Sequence, residues 1–353
     1  MTPLAFSTSR LPYWAALLLL APGCGQGTES GSRNSKPRVR ATTPPVSTAP
    51  TVAASPHAPA RRVLSAPPRA KAGPAPRPPA PAKPAWKPCG KAPAGMVCIP
   101  GGPFWRGSDK HRRNERSREQ VTVSTFYLDA YEVTNPVFER CVRLKLCKRP
   151  GNFRRYRGFH GARQPAVPVS WHNALATCLL LGKRLPTEAE WEKAARTTDG
   201  RTYPWGNDPP SCARAQYRRC RPKTTKPVGS LPANPYGVYD LAGNGYEWVM
   251  DWFSRCYSGC KGACGAACAG PDPRGPCGGV LHCKRHHRRV LRGGSWYWAA
   301  TQMRTSWRRP EYPQSGGHRL SFRCATRDPV PKPRTKAEVR RLLRSLRTTP
   351  LPL

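Results

Sequence analysis

Apolar residues in this chain are concentrated at the N-terminus, through a central stretch, and in a short stripe near the end. The first run, LPYWAALLLLA at 11 to 21, follows a weakly charged start ending at Arg10 and leads into APGC at 21 to 24. That profile predicts a secretory signal peptide over 1–24. Residues 25–87 then show no hydrophobic period. From 88 onward, apolar stretches are short and broken by turns, but three helices can be placed. Asn135 is expected to cap a helix beginning at Pro136 and running through VFERCVRLK. Ser170 precedes WHNALATCLLL, which Gly182 terminates. Thr187 and Glu190 form a capping box in PTEAEWEKAAR, with Trp191 and the alanines facing inward. A few helices among irregular strands predict an α+β class with long loops. In the tail, 329–353, Val339, Leu342, Leu343 and Leu346 recur at i, i+3, i+4 and i+7, which predicts a short basic amphipathic helix. Its apolar stripe could dock on its own domain, a partner or an anionic membrane surface.

Composition sharpens this division. Residues 25–87 hold 14 prolines, 11 Lys or Arg and a single acid, Glu29, too little apolar surface to offset the entropy of ordering. They read as a disordered, stiffened linker. An inert tether is the favoured role, with adhesion to anionic envelope polymers or nucleic acid as the sharper one. Beyond the N-terminus no apolar run reaches the roughly 18 residues of a membrane span, which excludes a polytopic membrane protein. The chain carries 60 Lys plus Arg against 19 Asp plus Glu, a formal charge of +41. The segment 88–328 alone holds 41 basic and 17 acidic residues. Such an excess attracts anionic partners but specifies no chemistry, and no nucleic-acid-binding motif accompanies it.

Fifteen cysteines point to an oxidising compartment. The small Gly23 before Cys24 resembles a bacterial lipoprotein processing site. On that reading Cys24 is lipidated and tethers the chain to a membrane; plain secretion and an uncleaved anchor stay open. The expected location is the cell envelope, anchored or periplasmic, or outside the cell. Local spacing suggests Cys89 with Cys98, Cys141 with Cys147 and Cys212 with Cys220. Six more cysteines, at 256, 260, 264, 268, 277 and 283, lie in a Gly-rich insertion over 254–289. Three disulfides are the favoured reading there. A zinc or copper cluster with His282, His286 and His287 is the alternative.

A series of motifs then becomes specific. In order come MVCIPGGPFWRGS, FYLDAYEVTN, PVSWHNALATC, GKRLPTEAEWEKAAR, YPWGND, PVGSLPANPYGVYDLAGNGYEWVMDWF, VLRGGSW and SFRCA. Together they closely resemble the formylglycine-generating enzyme family, also called the sulfatase-modifying-factor domain, over roughly 96–326. The resemblance implies a C-type-lectin-like α+β fold, low in regular secondary structure and rich in disulfides. It also implies that Cys178 pairs with Cys324. Family enzymes oxidise a client sulfatase cysteine to formylglycine, using oxygen and a copper(I) ion held by two cysteines just beyond the RGGSW-like motif. Soft thiolates select Cu(I). Here those two positions are Trp298 and Met303, and no cysteine occurs between Cys283 and Cys324. Copper is therefore not expected, and no catalytic residue is assigned.

The resemblance further implies a structural Ca2+ held by Asp240, Gly243, Gly245 and Glu247 in YDLAGNGYEW, the glycines through their carbonyls. A turn whose acids pair with arginines is the alternative. The family's second calcium site falls on CARAQYRRC, where no ligands are recognisable. KRHHRRVLR, after the insertion, would border the family's client-peptide groove. The favoured reading is an exported, lipid-anchored, non-catalytic family member that binds an anionic envelope polymer or protein. The alternative is an oxidase with a rearranged copper site, and a sugar-binding role rests on fold analogy alone. His160, His172, Ser295 and the glycine pairs at 101–102 and 293–294 lack the context of catalytic or phosphate-binding groups.

Overall fold

The strand that organises the core is YEWVMDW, buried at all seven positions and therefore covered on both faces. A computed structural model describes residues 88–150, 155–257 and 266–353. Cys24, the signal segment, the linker, Cys260 and Cys264 lie outside the described residues.

In chain order the elements are β1 (Met96–Ile99), β2 (Gly102–Arg106), β3 (Glu119–Val123), β4 (Phe126–Asp129), α1 (Asn135–Arg143), α2 (Trp171–Leu180), α3 (Glu188–Arg196), β5 (Tyr246–Trp252), β6 (Arg289–Arg292), β7 (Arg309–Glu311), β8 (Leu320–Phe322), β9 (Ala325–Thr326) and α4 (Lys336–Ser345). Three small sheets result: β1-β4-β9, β2-β3, and β7-β6-β5-β8. In the last, β5 runs antiparallel to β6 and parallel to β8. The α+β expectation with little regular structure holds.

Three tryptophans, Trp171, Trp191 and Trp248, are fully buried around β5. Each indole N–H finds an acceptor: Trp171 donates to the Val249 carbonyl at 2.8 Å, Trp248 to that of Val169 at 2.9 Å, and Trp191 to Glu247 at 2.8 Å. Burying so large a ring without a partner for its N–H would cost about 1–3 kcal/mol, so these bonds select where each ring lies.

Helix ends follow the sequence closely. Ser170 accepts from the Asn173 N–H, and Thr187 and Glu190 form the expected capping box. The first helix starts one residue earlier than expected: its N-cap is Thr134. Asn135 is drawn inward, donating to the carbonyls of Phe159 at 2.8 Å and Gly161 at 3.0 Å. Gly182 ends α2 with φ +79°, and a Cβ there would sit 2.3 Å from the Lys332 carbonyl oxygen. Glycine is thus required both for the left-handed turn and for the close approach of the tail.

The tail folds back on its own domain. Val339 and Leu346 are fully buried in the cluster that contains α2, and Thr335 and Glu338 cap α4. Arg334 donates from its backbone to the Leu180 carbonyl at 2.9 Å and from its side chain to that of Leu179 at 3.0 Å, supplying α2's C-terminal acceptors. Among the described residues no helix is long and apolar enough to cross a membrane.

Four expected disulfides are present: Cys89–Cys98, Cys141–Cys147, Cys178–Cys324 and Cys212–Cys220. In the insertion Cys277 pairs with Cys283, and Cys256 and Cys268 are disulfide-bonded as well. Cys178–Cys324 closes 146 residues, tying α2 to the chain between β8 and β9. Replacing both cysteines by Ala is expected to lower unfolding stability by about 2–5 kcal/mol, read as a lower denaturant midpoint.

Candidate functional site

β6 ends in two glycines that turn the chain sharply. Gly293 and Gly294 have φ of +86° and +78°, and a Cβ on Gly294 would lie 2.9 Å from the Gln302 carbonyl oxygen. Only glycine combines that conformation with that approach. The following residues are pinned in turn: the Trp296 N–H donates to the Asn244 carbonyl at 2.9 Å, that of Trp298 to Ser295 at 3.1 Å, and that of Arg218 to Trp298 at 3.0 Å. A single 3-10 turn, Ala300–Met303, then returns the chain to the interior.

This geometry separates the two positions where the resemblance places copper cysteines. Trp298 lines a pocket of about 410 Å³ with Arg218, Lys223, Trp296 and Tyr297. The guanidinium groups of Arg309 and Arg319 lie 4.9 and 5.9 Å from its ring centre. Met303 instead is fully buried with Ala215, Tyr217, Cys220 and Ala242. Cys220 is bonded to Cys212, and every other described cysteine is likewise in a disulfide. The residues present do not fit a copper(I) centre: Trp298 and Met303 carry no thiol, and every described cysteine is held in a disulfide.

Sequence reasoning missed the aromatic group beside this pocket. Tyr156, Phe159, Trp296 and His318 gather with ring centres 5.0–6.2 Å apart. Burial first, and then the Arg319 charge, lowers the His318 pKa, so the imidazole is neutral near pH 7. Tyr156 and Phe159 are three residues apart, but Trp296 and His318 lie more than 130 residues further on, so no local pattern could have announced the group. His172 lies with its ring edge-on to Trp171, and His160 directly follows Phe159 in the chain.

The loop before β5 brings Asp240 and Glu247 near each other, with Glu132 from the chain after β4. Glu247 is fully engaged, its carboxylate accepting from Arg323 at 2.7 Å on each oxygen and from Trp191 at 2.8 Å. Glu132 accepts from the Asn244 side chain at 2.6 Å and the Gly245 N–H at 3.0 Å. Burial, together with the charges of Asp240 and Glu247, raises its pKa well above the usual range. Asp240 has φ +56°; one carboxylate oxygen accepts from the Gly229 N–H at 2.7 Å, and the other is buried without a hydrogen-bond partner. The set therefore fits calcium in part: Asp240 offers a free hard oxygen, while Glu247 is committed to a guanidinium.

Residues 83–328 match the model of the sulfatase-modifying factor enzyme 1-like domain. Serine/threonine-protein kinase pkn1 of Chlamydia caviae is 36% identical over 250 residues, which cover 65% of this chain and 37% of that protein; the shared segment is thus little more than a third of that relative. Inactive C-alpha-formylglycine-generating enzyme 2 of Mus musculus is 31% identical over 67% of this chain and 87% of its own length. Among solved structures, PvdO from Pseudomonas aeruginosa superposes with a TM-score of 0.53 at 27% identity, covering 66% of this chain and 94% of its own.

The carboxylate cluster generates a pH dependence. Burial, opposed by the Gly229 hydrogen bond and Arg323, pushes the Asp240 carboxyl up to about 6 from 3.8. A folded-state pKa above the unfolded value contributes stability that is present below about pH 4 and lost as pH rises through 6. In chelated buffer, wild type should therefore lose on the order of 2–3 kcal/mol relative to Asp240→Asn between pH 4 and 8. Urea unfolding of both proteins across that range checks it; parallel pH profiles would exclude Asp240 as the titrating group.

Proposed function

The chain belongs to the sulfatase-modifying factor enzyme family, and on that premise we propose that it uses the family scaffold as a non-catalytic binding module for an anionic partner. The observation that carries the reading is the replacement of the copper thiolates. Trp298 and Met303 stand at those positions, one at a pocket wall and one in the core. A function resides in its site rather than its fold. What remains at this site is aromatic surface flanked by guanidinium groups, which can recognise an anion, and neither Trp298 nor Met303 supplies a thiolate.

The same reading places the protein outside the cytosol. Its described cysteines are all in disulfides, a state that persists in an oxidising compartment. We extend it to export through the N-terminal apolar segment and to tethering through a lipidated Cys24, which would present the domain at the end of the proline-rich segment. The excess of basic residues in 88–328 favours an anionic envelope component as the partner, since long-range attraction raises the encounter rate with such surfaces.

Calcium belongs to this proposal as a structural ion. Asp240, with the carbonyls of Gly243 and Gly245, supplies the hard oxygens, and Glu247 joins them only by sharing its carboxylate with Arg323. Adding millimolar Ca2+ to chelated protein should raise Tm by a few degrees, and Asp240→Asn should abolish that rise.

The decisive test is a copper(I) titration of the purified chain under mild conditions that keep its disulfides. It is coupled to mass spectrometry of a sulfatase-motif peptide after incubation with oxygen. The expected result is no stoichiometric copper and no conversion of the peptide cysteine. Conversion above the level seen without protein would overturn the reading and make the chain an oxidase.

A further inference from the structure

A second cleft, lined by different residues from the Trp298 pocket, carries a more definite ligand chemistry. It encloses about 770 Å³ between the 112–114 loop, Phe253 and Arg255, Arg288, and residues 307–310. Six of its lining residues are arginines. One of them, Arg308, is structural: it is buried, holds Glu188 through two bonds of 2.6 and 2.7 Å, and donates to the carbonyls of Asn114 and Ser254. The remaining five, Arg112, Arg113, Arg255, Arg288 and Arg309, line the opening.

Among the described residues these charges are offset by acids only weakly, through Glu311 beside Arg309 and Arg288. Among the described residues no carboxylate forms an ion pair with Arg112, Arg113, Arg255 or Arg288, and Arg309 reaches Glu311 only at 3.7 Å. A neighbouring cavity of about 560 Å³ shares Phe253, Arg255 and Arg288 with the cleft and adds Arg285, His287 and Tyr312. The cationic surface therefore continues from one into the other. Like charges gathered this way repel one another unless an anion lies between them.

The cleft is also held in shape. Glu115 pairs with Arg304 at 2.7 Å and accepts from Ser306 at 2.7 Å, and Asn114 donates to the Arg308 carbonyl at 3.0 Å. These bonds tie the loop carrying Arg112 and Arg113 to the segment that carries Arg308 and Arg309. Two of the guanidinium groups are oriented by aromatic rings: Arg112 lies 4.4 Å from the ring centre of Trp307, and Arg288 lies 4.7 Å from that of Tyr312. Arg288 also donates to the Tyr312 hydroxyl at 3.2 Å, and the other N–H groups of the two guanidiniums present a planar fork that matches the oxygens of a phosphate or sulfate.

We propose that this cleft binds a linear polyanion through its repeating phosphate or sulfate groups. Arginines distributed over two adjoining cavities exceed what one small oxyanion can contact, which favours a repeating chain. A nucleic acid is disfavoured because the rings of the cleft already carry guanidinium groups, Trp307 those of both Arg112 and Arg304, so bases lack a free stacking platform. This inference rests on the binding-module reading and names the partner chemistry. The two can fail separately: peptide conversion would end the first without touching the cleft, and absence of cleft-dependent binding would end the second without restoring an enzyme.

Because the whole chain is basic, the test compares equal charge losses at two places. Full-length Arg113→Ala/Arg255→Ala/Arg288→Ala is set against Arg340→Ala/Arg341→Ala/Arg344→Ala, three exposed arginines on or beside α4. Each is titrated at physiological salt with heparin, inorganic polyphosphate, poly-L-glutamate and single-stranded oligo-dT. The cleft variant should bind heparin or polyphosphate at least tenfold more weakly than wild type, and the α4 variant less than threefold; which polymer responds separates sulfate from phosphate as the source. Equal losses in both variants would reduce the binding to diffuse charge and overturn the proposal. So would a cleft-dependent loss confined to poly-L-glutamate or oligo-dT, which would assign the cleft to an acidic protein or a nucleic acid. Unchanged thermal unfolding of both variants shows that binding, not folding, is being read.

Discussion

Helix α3 buries every one of its nine residues, three glutamates, a lysine and an arginine among them, and the rest of the domain is arranged to make that tolerable. Arg292 from β6 reaches Glu188 at 3.0 Å and Glu192 at 2.8 Å, Arg308 grips Glu188, and Arg184 holds Glu190 with two bonds of 2.6 Å. Burial opposes ionisation of Glu192, yet Arg292 and Arg196 beside it keep its carboxyl below the usual range. Lys193 completes the pattern by donating to the Gly102 carbonyl at 2.7 Å. Removing one partner of such a buried pair leaves an uncompensated charge costing about 3–5 kcal/mol. The pairs therefore fix register: β6, the approach to β7 and the 102–107 segment each have one place in which the charges close.

That constraint explains why parts of the fold were legible in the sequence and parts were not. The capping box of Thr187 and Glu190, Gly182 as a terminator and the local disulfides all depend on residues within ten of each other. Patterns of that range are written in the chain. The burial of Glu188, Glu192 and Lys193 is different. Local periodicity places such side chains in solvent, because the arginines that neutralise two of them lie about 100 residues away, at 292 and 308. Asn135 shows the same effect on a smaller scale, its side chain claimed by a loop more than twenty residues distant.

The candidate site divides in a similar way. The absence of copper thiolates could be read directly, since it needed only residue identities at Trp298 and Met303. The calcium loop was legible as a motif but not in its balance, because Arg323's hold on Glu247 emerges only when β8 pairs beside β5. The arginine cleft showed in the sequence only in one part, the basic strip KRHHRRVLR that supplies Arg288. Its members come from four separated segments, and a chain so rich in arginine hides a cluster among many isolated residues. Only the fold distinguishes Arg308, which serves as internal structure, from Arg113 and Arg255, which face the opening.

The tail adds a matter of timing. Leu346 accepts from the Leu281 N–H at 2.8 Å, Leu351 from the Arg274 side chain at 2.6 Å, and the carbonyls ending α2 receive Arg334. Both the cysteine-rich insertion and a central helix are thus finished by a segment that lies much later in the chain. Completion of α2 therefore waits on a segment about 155 residues further along, much the same range that the Cys178–Cys324 disulfide closes at 146.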